Sequence, residues 1–142
     1  MCLSIAVARP DHVLATGTHR GYQWIVTHNT SGYRCGYLRL PKGHPWHGLG
    51  MLDIPVAVHG GITFAEADVE CDAPGADDAW WIGFDCAHAG DAPDPSLPNE
   101  MPLDLIGCLF SDDVVRTQEY VETECRDLAD QAHFAAGGSM ED

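Results

Sequence analysis

Positive charge is what this chain has least of. Its 142 residues carry 7 Lys and Arg against 22 Asp and Glu, a net charge of −15. No Lys or Arg stands between Lys42 and Arg116, whereas fourteen Asp and Glu residues run from Asp53 to Asp113. A surface so acidic repels phosphate backbones, which argues against direct binding of nucleic acid. It suits solubility. It also suits attraction to a basic host protein, which such a face could engage as a nucleic-acid mimic.

Other absences narrow the class. No apolar run approaches the ~20 residues that cross a bilayer, so no membrane partner is expected. Residues 1–8 are apolar but lack a basic n-region and a full h-region, so they do not read as a secretory signal. The six cysteines, Cys2, Cys35, Cys71, Cys86, Cys108 and Cys125, are widely spaced, with no CxxC. They read as reduced thiols, and the protein is expected to be cytoplasmic. There is no internal repeat, no low-complexity block and no established catalytic motif. The length suits one domain over 1–142, which buries about 68–70% of its unfolded surface without needing disulfides.

What is present predicts an α+β fold: a single antiparallel sheet of about four or five strands with one C-terminal helix packed on one face. Residues 1–19 read as an N-terminal arm or strand, with Val13, Leu14 and Ala15 too short a run to classify. Residues 22–27 and 33–40 are rich in aromatic and β-branched side chains, and Asn29, Thr30, Ser31 and Gly32 between them supply turn chemistry, so the pair predicts a hairpin. Residues 41–48 hold two prolines and two glycines and read as a loop anchored by Trp46. Residues 54–59 read as a strand, Gly60-Gly61 as a turn or bulge, and 62–64 as its continuation. Acidic residues 66–78 read as an exposed connection. Residues 79–86, bulky on both faces, predict a central strand, and 89–104 an excursion over the surface. Residues 105–110 fit either a short strand or a short helix. A helix is predicted over 111–136, capped by Ser111, with Val114, Val121, Cys125, Leu128 and Ala132 on one stripe. Gly137-Gly138 stops it, and 137–142 are a tail.

The densest chemistry lies in His59-Gly60-Gly61 and in residues 80–88. Cys86 and His88 are two apart, and on an extended segment they would share a side. With His59 from a separate strand they would make a three-ligand zinc site, the fourth position falling to water, Cys35 or His44. Cys86 could alternatively be a nucleophile activated by His59 or His88, although acidic surroundings raise a thiol's pKa. A further reading makes His44, Trp46, His59, Gly60, Gly61, Asp85 and His88 a preformed pocket. Trp46, Trp80, Trp81, Phe64, Tyr33 and Tyr37 would be its walls, although Trp80 and Trp81 face opposite ways. The bland alternative is that the aromatics are core and Cys86 a small buried hydrophobe. Arg34 and Arg39 could hold an anion or pair with surface acids.

The segments GYxxxV (21–26), RCGY (34–37), PKGHPW (41–46), VHGGITF (58–64), WWIGFDCAHAGD (80–91) and EYVETECRDLADQ (119–131) carry a resemblance. In that order they resemble a family of small proteins of bacteriophages, prophages and actinobacterial genomes. The resemblance covers residues 20–131, leaves out 1–19 and the acidic insert near 66–78, and transfers no catalytic residue. What it implies is a small accessory protein, plausibly phage-associated. The expected function is binding of a small polar ligand such as a nucleotide, which could sequester a host defence signal, with no cofactor required. The alternatives are a zinc hydrolase using Cys86, His88 and His59, and an acidic protein-interaction module.

Overall fold

The computed structural model describes residues 12–67, 79–88, 90–97 and 114–138. Its elements are β1 (Val13–His19), β2 (Tyr22–His28), β3 (Arg34–Leu40), β4 (Phe64–Ala67), β5 (Trp80–Asp85), β6 (Asp91–Ala92), β7 (Val114–Val115) and α1 (Gln118–Ala135). Five strands form one antiparallel sheet in the order β1-β2-β3-β5-β4, and β6 pairs with β7 in parallel. The α+β architecture read from the sequence is therefore the one observed.

The helix lies on one face because its apolar stripe recurs at helical spacing. Val121, Cys125, Leu128, Ala129 and Ala132 are buried. They join Trp24, Val26, Leu38, Leu40, Ile82 and Phe84 of the sheet in one core. Alternate residues of the same strands point the other way, so Ile25 and Trp81 pack with Val13, Tyr37 and Phe64 on the opposite face. At Gly36 on β3 the helix and the sheet are in close contact. A Cβ there would lie 2.5 Å from Phe84 Cζ and 2.7 Å from Cys125 Sγ.

The β2–β3 hairpin has the predicted turn. Asn29 Oδ1 accepts from the Ser31 and Tyr33 N–H groups, at 2.9 and 3.1 Å. β5 is central, flanked by β3 and β4, as its two-sided bulk requires. The helix ends where predicted, with Gly137 at φ 89° and the Gly138 N–H donating to His133 O.

Four boundaries differ from the sequence reading, the first being β4, which covers Phe64–Ala67 where 62–64 was the expected strand continuation. β1 is a full strand, closed onto β2 by Arg20 (φ 55°) and Gly21 (φ 81°). An arginine rarely takes a positive φ, so Arg20-Gly21 does not look like a hairpin turn in sequence. Residues 54–58 are not a strand, and within them the Val56 N–H donates to Ile54 O at 3.0 Å. Their backbone is taken up by the helix instead: Ala57 N–H donates to Gln131 Oε1 (2.9 Å), and Gln131 Nε2 donates to Ala57 O (2.7 Å). The alternation of Ile54, Val56 and Val58 reflects packing on the core beneath. Finally, α1 starts at Gln118 with Thr117 as its N-cap, and Val114 is an exposed residue of β7. The Ser111 cap, the 105–110 element and most of the acidic 66–78 connection lie outside the described residues.

Candidate functional site

Four chain segments meet at the end of β5. The last rung there is Cys86 N–H to Arg34 O, 3.0 Å. The chain then turns, with Asp91 N–H bonded to His88 O (2.9 Å) and Gly90 at φ 91°, and this carries Asp91 back inward. The 58–61 turn, closed by Gly61 N–H to Val58 O at 2.9 Å, delivers His59. The lead-in to α1 delivers Arg116, and the first turn of α1 delivers Tyr120. Arg34 pins that lead-in through Nη1 to Arg116 O (3.0 Å) and Nε to Gln118 Oε1 (3.1 Å).

Asp91 is the hub. Its side chain is 1% exposed. It accepts from His59 Nε2 (2.8 Å), Arg116 Nε (2.7 Å) and the His88 N–H (3.0 Å). An ionised carboxylate only accepts, so His59 Nε2 carries a proton and, in the neutral ring, Nδ1 accepts from Tyr120 O–H at 2.8 Å. Glu124 Oε1 takes the His59 backbone N–H at 3.0 Å. The His88 ring is different: its Nδ1 is buried and has no hydrogen bond. That nitrogen lies 3.4 Å from Asp85 Oδ1 and 3.7 Å from Asp91 Oδ2. Gly60 makes room for the ring, since a Cβ there would lie 2.2 Å from His88 Cε1.

Among the described residues, His59, His88 and Asp91 form one group whose ligand atoms all lie within 4.8 Å of one another. Tetrahedral nitrogen and oxygen ligands of zinc sit about 3.4 Å apart. The His88–Asp91 spacing is close to that already, and the His59–Asp91 hydrogen bond has to open by only about half an ångström.

The structure places His59, Gly60, Asp85 and His88 near one another, but the other expected partners lie elsewhere. Cys86 is 1% exposed and belongs to the core. The same-side argument for Cys86 and His88 fails because β5 stops at Asp85 and the chain bends at Cys86, where Asp85 Oδ1 accepts the Ala87 N–H. Burial, then Asp91, Cys35 and Asp85, push the Cys86 thiol up to about 12. Buried in the core and outside the group that converges on Asp91, it has no place among the candidate ligands. Cys35 is likewise buried, with its thiol pushed up to about 11 by burial and then by Asp85. His44 and Trp46 sit in the interior. His44 Nε2 donates to Ala132 O (2.8 Å) and its Nδ1 accepts the Trp46 N–H (3.0 Å), so the ring fastens the 41–48 loop to the helix. The Gly61 N–H is spent on its turn. The proposed aromatic walls are divided between the two faces of the sheet, Trp46 and Trp80 on one and Trp81, Tyr37 and Phe64 on the other.

Asp91, Arg116 and Tyr120 were not anticipated. Asp91 was counted within a solvated excursion, although its three-residue offset from His88 fits a tight turn. Arg116 had a signal, as the first basic residue after the long acidic stretch. Arg34 pairs with Asp94 at 2.8 Å, so it has the acid partner that was one of its expected roles.

Burial alone would raise the Asp91 carboxyl, but the hydrogen bonds from Arg116, His59 and the His88 N–H outweigh it and hold its pKa below the ordinary 3.8. The same bond raises the Arg116 guanidinium, and burial raises the Tyr120 phenol. A carboxyl depressed in the folded state adds stability above its unfolded pKa and loses it as pH falls through the folded value. Asp94 and Asp130 are lowered too. Urea midpoints are therefore expected to hold down to about pH 4 and then fall steeply, and Asp91→Asn should flatten part of that fall.

Gly60 has φ 70° as well as the His88 ring against it. Gly60→Ala is expected to cost about 1–3 kcal/mol, read by denaturant unfolding, and to push the imidazole out of register.

Comparisons with protein-family models, with curated proteins and with solved structures return no match. Fold and side-chain geometry therefore carry the functional reading. No helix among the described residues is long and apolar enough to cross a membrane.

Proposed function

We propose that this protein binds a divalent transition ion, with zinc the best fit, through His59, His88 and Asp91, and that the centre serves a small polar ligand. The observation that carries this reading is the His88 Nδ1 atom, buried and unbonded beside His59, 3.4 Å from Asp85 Oδ1 and 3.7 Å from Asp91 Oδ2. An unsatisfied buried nitrogen costs about 1–3 kcal/mol, and such an atom calls for a partner. Two imidazoles and a carboxylate are the donor set of several catalytic metal sites, and three protein ligands leave a position for water or substrate. Zinc there would lower the pKa of a bound water and polarise a ligand oxygen. Tyr120 would hold the His59 ring through Nδ1, as an outer-shell partner does.

This joins two of the functions expected from the sequence, a small-ligand site and a zinc hydrolase, with Asp91 in place of Cys86. Competition titration against a chromogenic chelator tests the proposal. A single zinc ion per chain is expected, with Cys86→Ala binding as tightly as the parent. A protein that takes up no metal, or whose uptake depends on Cys86, would overturn it.

A further inference from the structure

Arg116 is placed as more than a counter-ion. Its Nε donates to Asp91 Oδ1 at 2.7 Å, while His59 Nε2 is nearer Oδ2 (2.8 Å) than Oδ1 (3.1 Å) and His88 Nδ1 lies 3.7 Å from Oδ2 of the same carboxylate. A metal on Oδ2 and the guanidinium on Oδ1 would therefore be separated by the width of one carboxylate. The guanidinium is held in three ways. Asp91 fixes Nε, Arg34 fixes the Arg116 backbone carbonyl, and the group lies over the Tyr120 ring at 5.2 Å. Its two Nη groups have no hydrogen-bond partner among the described residues, and the side chain is 26% exposed. A planar fork of donors, fixed and half open beside a metal site, matches an oxyanion.

We infer that Arg116 is an anion-binding residue of this centre and that the ligand carries a phosphoryl group, held by the Arg116 Nη fork on one side and by the metal on the other. This rests on the metal reading above. The choice of phosphoryl follows from counting oxygens. A carboxylate has two, and the fork would take both. A phosphoryl group engaged by the fork keeps a further oxygen for the metal. The charge objection raised by so acidic a chain is met locally. The divalent ion and Arg116 together balance Asp91, Glu124 and Asp85, the last two each accepting a backbone N–H, from His59 and Ala87. Arg116 is a binding residue in this account. No bond is made or broken.

Metal uptake is measured first and separately, so failure of the centre and failure of this inference are distinguishable. The protein is then loaded with cobalt(II), whose visible spectrum reports direct coordination, and titrated with inorganic phosphate and with acetate. Phosphate is expected to bind and shift the spectrum, and acetate to bind at least tenfold more weakly. Arg116→Gln should weaken phosphate at least tenfold while metal affinity holds or rises, because Asp91 loses a competing cation. Arg116→Lys keeps a positive charge beside Asp91 and so guards against loss of the fold. It should lose phosphate affinity as well, since an ammonium has no fork. Equal phosphate affinity in parent and both variants, equal binding of acetate, or no phosphate binding by the metal-loaded protein would each overturn the inference. If the chain takes up no metal, the inference falls with the centre.

Discussion

Asp91→Ala is expected to destabilise the metal-free protein by about 3 kcal/mol, a cost typical of breaking one side of a buried pair. The carboxylate is 1% exposed and serves three donors from three chain segments: His59, Arg116 and the His88 backbone. Removing it leaves those donors facing one another with no acceptor. The loss should sit at the low end of the range for buried pairs, because Arg116 and His59 are 26% and 13% exposed and water can reach them. Urea unfolding at neutral pH, with an unchanged slope, measures it. Adding Arg116→Gln to Asp91→Ala should cost much less than the sum of the two single changes, since each deletes the other's reason for being there. Full additivity would show that the two residues do not act as a unit.

His88→Ala is expected to do the opposite: leave the metal-free fold within about 0.5 kcal/mol of the parent and weaken zinc at least 100-fold. The imidazole makes no hydrogen bond through Nδ1, so its removal costs the fold little. As one of three ligands, its loss exceeds the 10- to 100-fold cost typical of outer-shell partners. The pair of measurements is a thermal unfolding curve without metal and a competition titration with it. A variant that unfolds easily but still binds zinc would place His88 in the fold and outside the centre. His59→Ala makes a poorer probe, because it also breaks the bonds to Tyr120 and Asp91.

Much of the fold could be read from local chemistry. The β2–β3 hairpin shows in its aromatic strands and Asx turn, β5 in its two-sided bulk, and α1 in the stripe through Val121, Cys125, Leu128 and Ala132. What escaped were choices made by distant partners. Ile54, Val56 and Val58 alternate as a strand would, yet Gln131 and Glu124, far along the chain, take the N–H groups of Ala57 and His59. The site was half legible for the same reason. His59 and His88 announce themselves by residue type. Asp91 is one acid among fourteen between Lys42 and Arg116, and only burial against Arg116 sets it apart. Cys86 misled because an alternating pattern says which side a residue faces only while the strand continues.

β1, β2 and β3 are consecutive and joined by short turns, whereas β5 reaches β3 only after the whole 41–79 interval has been laid down. The donors around Asp91 come from three segments far apart in the chain, the turns at 58–61 and 88–91 and the run into α1. Contacts between near neighbours form before those that close long loops. A nucleus built on the meander would hold no ion, so zinc should slow the escape from the native state and leave the speed of reaching it unchanged.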